Sequence, residues 1–393
     1  VSGNYGKLGE GMKKKKLGLI IVITAVLSSL LTVTGLGWLM GFTMAQAKDT
    51  ARFFGAVQFI QRKYVKDVDY TQLMDGAING MVKTLGDPHS IYLDQNMYKQ
   101  LMEHTEGSFG GIGVVMGFKD KKVAVISVLD DTPGQKAGIQ TGDEIVAVDG
   151  TPVSEIQPEE VAMRIRGDIG TQVNITIHRE GEEDKDYTIT RDTIKIKTAV
   201  GHMLPETDGI GYIRIASFSE NTSKEFKDTY DDLEQQGMKG LIIDLRENPG
   251  GLVTSCVEIA NMVVPKGPIV SVVQRDGTRE EHDSKLEASK YPIVVLIDGN
   301  SASASEILAG ALQDTGAGVL VGSKSYGKGS VQVVMPLYDN DALKLTIAKY
   351  YTPSGRSIDG TGIEPDVKVD LDPKGTTDNQ LEKAIEVMQE KLQ

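Results

Sequence analysis

From residue 193 onward the sequence alternates short apolar runs with segments of helical periodicity, and this alternation leaves few folds open. GIGYIRIASF, KGLIIDL, PIVSVVQ, YPIVVLID and GVLVG read as strands. NTSKEFKDTYDDLEQQG, LVTSCVEIANMVV and SASEILAGALQDTG, lying between them, read as helices. Strands this apolar are covered on both faces, so the pattern predicts an α/β core with a largely parallel sheet. In open sheets of this kind chemistry gathers beyond the carboxyl ends of the strands. Two such ends are unusual here: DLRENPGG at 244–251 and DGNSASASE at 298–306.

A helix beginning near Ser303 would leave the N–H groups of Ser303 and Ala304 facing outward, where they could hold a developing oxyanion. The same Ser303-x-x-Glu306 spacing also reads as a capping box, so this stretch alone leaves both readings open. A nucleophilic serine needs a base. The five histidines, His89, His104, His178, His202 and His282, do not fall at a strand end with a serine partner. A lysine can serve only if it is kept neutral; its ordinary pKa of about 10.4 falls by up to about 3–5 units on burial away from acids. Lys328 in SYGKGSVQ (325–332) stands between glycines with no acid nearby in sequence, and Gln332 could orient it as an uncharged amide. GSKSYGK (322–328) approaches a phosphate-binding loop. Gly329 replaces the hydroxyl residue such a loop requires, and a strand-like run follows instead of a helix. No metal-binding motif is present, and the single cysteine, Cys256, sits in an apolar helical pattern, so no metal or other cofactor is expected.

Upstream, GSFGGIGV (107–114) leads into KVAVISV, DEIVAVDG and QVNITIHRE, with the helix-like EEVAMRIRG (159–167) among them. These form a compact β-rich module over 106–192 that resembles a PDZ domain. Its groove would accept an extended peptide as an added strand. The loop Gly111, Ile112, Gly113 and Val114 would hold a terminal carboxylate, and Arg166 could help position it. A small β-domain that binds nothing remains the alternative. Residues 49–105 read as a helical region, an arm or dimerisation element. The tail 369–393 ends in an amphipathic helix, with Leu381, Ala384, Ile385, Met388 and Leu392 on one face.

DLRENPGG, NSASASEILAGAL, SYGKGSVQ and KLTIAKYYTPSGRSIDGTGIEPD occur in this order, with LGDPHSIYL and FGGIGV upstream. Together they resemble the C-terminal processing peptidases over about 49–393. The resemblance implies a crotonase/Clp-protease-like α/β core (193–368) with an inserted PDZ domain, acting as an exported serine endopeptidase without a cofactor. It implies Ser303 as nucleophile, Lys328 as base and Gln332 as the group orienting the lysine. The oxyanion donors would be the N–H groups of Ala304 and of Gly250 or Gly251. Ser301 and Ser305 are left as turn and capping groups. The substrates implied are exported proteins with apolar C-terminal segments, captured or gated by the PDZ domain. Tyr326 stands where phenylalanine is common in the family.

The N-terminus bears on location. Lys13–Lys16 precede LGLIIVITAVLSSLLTVTGLGWLMGF (17–42), which carries no charge. A span needs about 20 apolar residues, whereas the apolar part of a secretory signal is about 7–15. The stretch therefore reads as a single transmembrane signal-anchor, with residues 1–16 cytoplasmic and the body outside the cell membrane. Cleavage after Ala45-Gln46-Ala47 is the competing reading, and it also exports the body. A net charge of −13 argues against nucleic acid as a partner. Helical arms at both ends point to a homodimer, and the reading leaves room for an activating partner. Two other functions stay open: a non-catalytic adaptor that binds C-termini, and a crotonase-like enzyme acting on acyl thioesters.

Overall fold

The computed structural model describes residues 21–29, 31, 32, 35, 43–119, 122–338 and 340–393. The chain divides into two compact units, 1–84 and 85–393. In the first, α1 (Met44–Lys63) starts at a capping box, in which Thr43 Oγ1 accepts from Gln46 N–H and Gln46 Oε1 accepts from Thr43 N–H. α2 (Tyr70–Lys83) is capped by Asp69, which accepts from Thr71 N–H. The expected anchor at 17–42 lies in large part outside the described residues. Among the described residues no helix is long and apolar enough to cross a membrane.

The second unit opens with a departure from the expected all-helical 49–105. Ile91–Leu93 form a strand, β1, ahead of α3 (Gln95–Glu106). A ribbon of β2 (Ser108–Gly111) then leads into the β-module and, through β9 (Asp192–Lys195), back out of it. Within the module β3 (Val114–Lys119), β4 (Lys122–Val128), β5 (Glu144–Val148), β7 (Gln172–His178) and β8 (Lys185–Thr190) pair in that order, with β6 (Thr151–Pro152) on β5. α4 (Pro133–Ala137) and α5 (Pro158–Ile165) complete it. Val123, Val125, Ile145, Val148, Val161, Val173, Ile175 and Ile177 form its separate core. Among the described residues β3 is an edge strand, paired only with β4.

The α/β core follows. β10 (Ala199–Met203), β11 (Ile210–Ile215), β12 (Gly240–Asp244), β15 (Ile293–Ile297), β16 (Gly318–Gly322) and β19 (Val367–Lys368) form one sheet in that order. It is parallel throughout except for β10. α6 (Thr222–Gln235), α7 (Val253–Val263) and α8 (Ala304–Asp314) are its crossovers. Every residue of β12 and β15 is buried, which is why both read as unbroken apolar runs. Leu241, Ile243, Val295 and Ile297 face the cluster shared with these helices. Ile242, Val294 and Leu296, one residue out of phase, face the opposite side. A second, antiparallel sheet joins β1, β18 (Ala342–Tyr351), β13 (Gly267–Gln274) and β14 (Arg279–Ser284), with β17 (Ser330–Pro336) also on β18.

The amphipathic tail becomes α9 (Asn379–Leu392) and covers the outer face of the parallel sheet, burying Ala384, Val387 and Met388 against Ile242, Val294, Leu296 and Val321. Its apolar stripe is thus used within the chain. This removes the C-terminal half of the argument for a dimer.

Candidate active site

β12 and β15 are adjacent and parallel, with Asp244 opposite Leu296, so the turns that leave them lie side by side. A dense set of hydrogen bonds locks the turns together. Ala302 N–H and Ser305 Oγ both donate to Asn248 O, each at 3.0 Å. Ser301 Oγ donates to Leu245 O at 2.8 Å, and Glu247 N–H to Asp298 Oδ1 at 3.0 Å. Asn300 Nδ2 reaches the Glu247 carboxylate at the exposed rim. Ser301 and Ser305 are fully buried, so two of the three serines serve as clamps between the turns.

Ser303 differs from its neighbours. It is the one residue of 301–312 that is not buried. Its φ of 56° and ψ of −115° lie where a residue with a side chain is strained, and strain of this kind gathers at functional turns. The capping spacing seen in the sequence is real in one respect: Ser303 N–H donates to Glu306 Oε2 at 2.9 Å. Glu306 does more than cap. It is fully buried, and it also accepts from Ser325 Oγ (2.6 Å), Gly327 N–H (2.8 Å) and Lys328 N–H (2.9 Å). One carboxylate therefore holds the backbones of Ser303 and Lys328 to each other across 25 residues of sequence. The sequence signalled Glu306 only as a cap.

Lys328 is half-buried, and among the described residues its ammonium group makes neither a hydrogen bond nor an ion pair. Burial, followed by the like charge of Lys344, lowers its pKa from the ordinary lysine value; Glu306 and Asp87 pull the other way. Lys344 is itself lowered by burial. Register explains why these groups meet. Gln332 pairs with Thr346 and Val334 with Lys344, which puts Lys344 and Thr346 on the face of the β17–β18 hairpin that carries Gln332. Ser90 ties Asp87 to the same place, donating to Asp87 Oδ2 at 2.6 Å and accepting from Thr346 N–H at 3.0 Å. Neither Lys344 nor Thr346 was singled out by sequence reasoning. Asp87 and Ser90 lie in LGDPHSIYL, a stretch quoted only for its family resemblance.

Gln332 follows a β-bulge between Val331 and Gln332. Its amide N–H₂ donates to Ser330 Oγ (2.9 Å) and Thr346 Oγ1 (3.1 Å), not to Lys328. Ser303 Oγ and Lys328 Nζ are likewise not hydrogen-bonded in this conformation. Among the described residues none of the five histidines is hydrogen-bonded to Ser303. His89 lies beside Asp87, its backbone N–H donating to Asp87 Oδ1 at 3.0 Å. His178 pairs with Asp184, His282 lies beside Glu280 and His202 leans on Tyr212.

The glycine turn separates two donors that the sequence left equivalent. Gly250 N–H is committed to Asn248 Oδ1 at 2.8 Å, and Gly250 is buried. Gly250 therefore drops out as an oxyanion donor in this conformation. Gly251 is exposed and its N–H has no partner among the described residues. Ala304 N–H, first in α8, has no intrahelical acceptor. Ala304 is fully buried, however, and Gly250 lies over it: a Cβ on Gly250 would come within 2.7 Å of Ser303 Cβ and 3.0 Å of Ala304 N. Ala304 N–H is thus covered in this conformation, and only glycine fits at position 250.

In the β-module Gly111 closes β2, and Val114 opens the free edge of β3. Between them, the carbonyls of Ile112 and Gly113 accept from Gly134 and Leu129 N–H, whereas their own N–H groups are unpartnered among the described residues. That is the donor pair a terminal carboxylate needs. Arg166 does not point there. Its guanidinium lies 4.1 Å over the Phe109 ring and 3.8 Å from Glu103, so its charge is engaged at the junction with α3.

Comparison with known proteins agrees with this layout. Residues 209–369 match peptidase family S41, residues 110–189 match the PDZ domain, and residues 41–97 match the N-terminal domain of the activating protease CtpB. The carboxy-terminal processing protease CtpA of Bacillus subtilis (strain 168) is 38% identical over 92% of this chain and 78% of its own length. The carboxy-terminal-processing protease of Bartonella bacilliformis is 42% identical over 82% of this chain and 75% of its own. Among solved structures, the photosystem II D1 C-terminal processing protease is 31% identical, covering 85% of this chain and 90% of its own, with a TM-score of 0.49.

Proposed function

The chain belongs to peptidase family S41, among the carboxy-terminal processing serine proteases, and from that premise we propose that Ser303 and Lys328 form its catalytic dyad. The observation that carries the reading is the shared carboxylate: Glu306 holds a strained, uncovered serine and a half-buried, unpaired lysine by their backbones. Neutral Lys328 takes the Ser303 proton, and Ser303 Oγ attacks the substrate carbonyl. Ala304 and Gly251 N–H stabilise the tetrahedral intermediate. Lys328 then protonates the leaving amine, and water clears the acyl-enzyme.

Three features support a resting state in this conformation. Ser303 and Lys328 are not hydrogen-bonded, Gln332 is turned to Ser330 and Thr346, and Gly250 covers Ala304. Assembly requires the 250–251 turn to withdraw and the Gln332 amide oxygen to accept from Lys328. Substrate capture at the β3 edge supplies one trigger. An activating partner or a second copy would supply a second. The substrates are the C-terminal segments of exported proteins, and residues 17–42 anchor the enzyme in the membrane with its body outside the cytoplasm.

The test is cleavage of an unstructured protein ending in small apolar residues, followed by intact mass, with wild type, Ser303→Ala and Lys328→Ala side by side. Cleavage by wild type alone supports the dyad. Equal cleavage by all three rejects it.

A further inference from the structure

Tyr350, at the end of β18, has no part in the mechanism above, yet it lies directly beneath it. It is 1% exposed, and its N–H donates at 3.0 Å to the carbonyl of Gly329, the residue after Lys328. Its ring packs in the cluster that holds Cys256, Ala304 and Ile307. Among the described residues its hydroxyl has no partner in hydrogen-bond geometry, although the Ser303 side chain lies close enough to act on it, a condition that buried hydroxyls rarely tolerate without a reason.

The neighbouring acceptors can be eliminated in turn. Each oxygen of Glu306 already accepts two hydrogen bonds, Oε1 from Ser325 and Gly327 and Oε2 from Ser303 and Lys328, which fills its lone-pair sites. Cys256 Sγ is turned to Ala304 O at 3.2 Å and is a weak acceptor in any case. Ser303 Oγ remains. The phenol's surroundings agree: burial first, then Glu306 and Cys256, raise its pKa well above the ordinary tyrosine value, and the Ser303 side chain acts against them. Tyr350 therefore stays protonated and keeps a proton to donate.

We propose that Tyr350 is a positioning residue for Ser303, its hydroxyl donating to Ser303 Oγ as the serine attacks. The contact fixes the rotamer in which the Ser303 proton points at Lys328, and it stabilises the negative charge that grows on Oγ. The Oγ–H bond breaks, the proton passes to Lys328 Nζ, and the Oγ electron pair forms the bond to the carbonyl carbon. Tyr350 keeps its own proton throughout. The inference rests on the Ser303–Lys328 reading.

Tyr350→Phe removes only the oxygen. Steady-state cleavage, its pH profile and the melting temperature are measured for wild type, Tyr350→Phe, Ser303→Ala and Lys328→Ala. The expected result is a kcat lower by about tenfold or more with KM unchanged. The acid limb of the pH profile should stay in place, and the melting temperature should equal or exceed wild type, because an unpartnered buried hydroxyl has gone. A purely structural tyrosine would not separate activity from stability in this way. A kcat within about twofold of wild type, or a kcat and melting temperature that fall together, overturns the inference while inactive Ser303→Ala leaves the dyad standing. An active Ser303→Ala overturns both.

Discussion

Glu306 concentrates the demands made on this site. All four groups that reach its carboxylate are donors, two of them the backbone N–H groups of the proposed nucleophile and base. Glu306→Gln keeps the shape but turns an N–H₂ toward two of those donors. It should lower stability by about 2 kcal/mol or more, read from the denaturant midpoint, and lower kcat with it. The residues of the site differ in how far local sequence reveals them. Ser303 and Lys328 stand in short motifs with a chemical reason for every member. Asp87 and Lys344 reach Lys328 only because β1 and β17 both pair with β18, and no local pattern encodes that meeting. Gly250 and Gly251 could be told apart only once Asn248 was seen to take one of the two N–H groups.

Among the elements, α9 is fastened at both ends of its role. Its apolar face covers the parallel sheet, and its cap, Asp378, is bound to Arg246 in the same turn that carries Gly250 and Gly251. Arg246 also pairs with Asp244, which is fully buried. Arg246→Leu would leave that charge without a cation and should destabilise the protein by about 3–5 kcal/mol in equilibrium unfolding. Met388→Ala should cost about 2–5 kcal/mol by the same measurement, from the cavity left against the sheet. Strands such as β12 and β15 were legible because burial on both faces leaves no polar residue to blur the run. β1 was not: three residues, Ile-Tyr-Leu, are too few to show a period, and only the pairing with β18 makes them a strand. The amphipathic pattern of α9 was equally clear, but periodicity states that a face is covered and not by what.

At the scale of the whole chain, the PDZ module reaches the peptidase core through the β2–β9 ribbon, and Lys99 adds an ion pair to Asp168 at 2.7 Å. In the proposed function the N–H groups of Ile112 and Gly113, unpartnered among the described residues, would receive the substrate's terminal carboxylate. A substrate whose C-terminus is amidated should therefore be cleaved with a kcat/KM lower by about tenfold or more than the free acid. The β-module and the α/β core were legible as separate units because each has its own core and its own period. The covering of Ala304 was not legible, since it depends on where one glycine turn rests. The central claim is that a lysine kept neutral by burial serves Ser303. Its most direct test is the pH dependence of kcat/KM for wild type, Lys344→Met and Asp87→Asn. The account predicts an acid limb below the ordinary lysine value of about 10.4, because the base must be neutral to act. Removing the like charge of Lys344 moves that limb to higher pH, and removing the Asp87 carboxylate moves it lower. A limb near about 6.5 that neither substitution shifts would assign the base to a histidine and contradict the account.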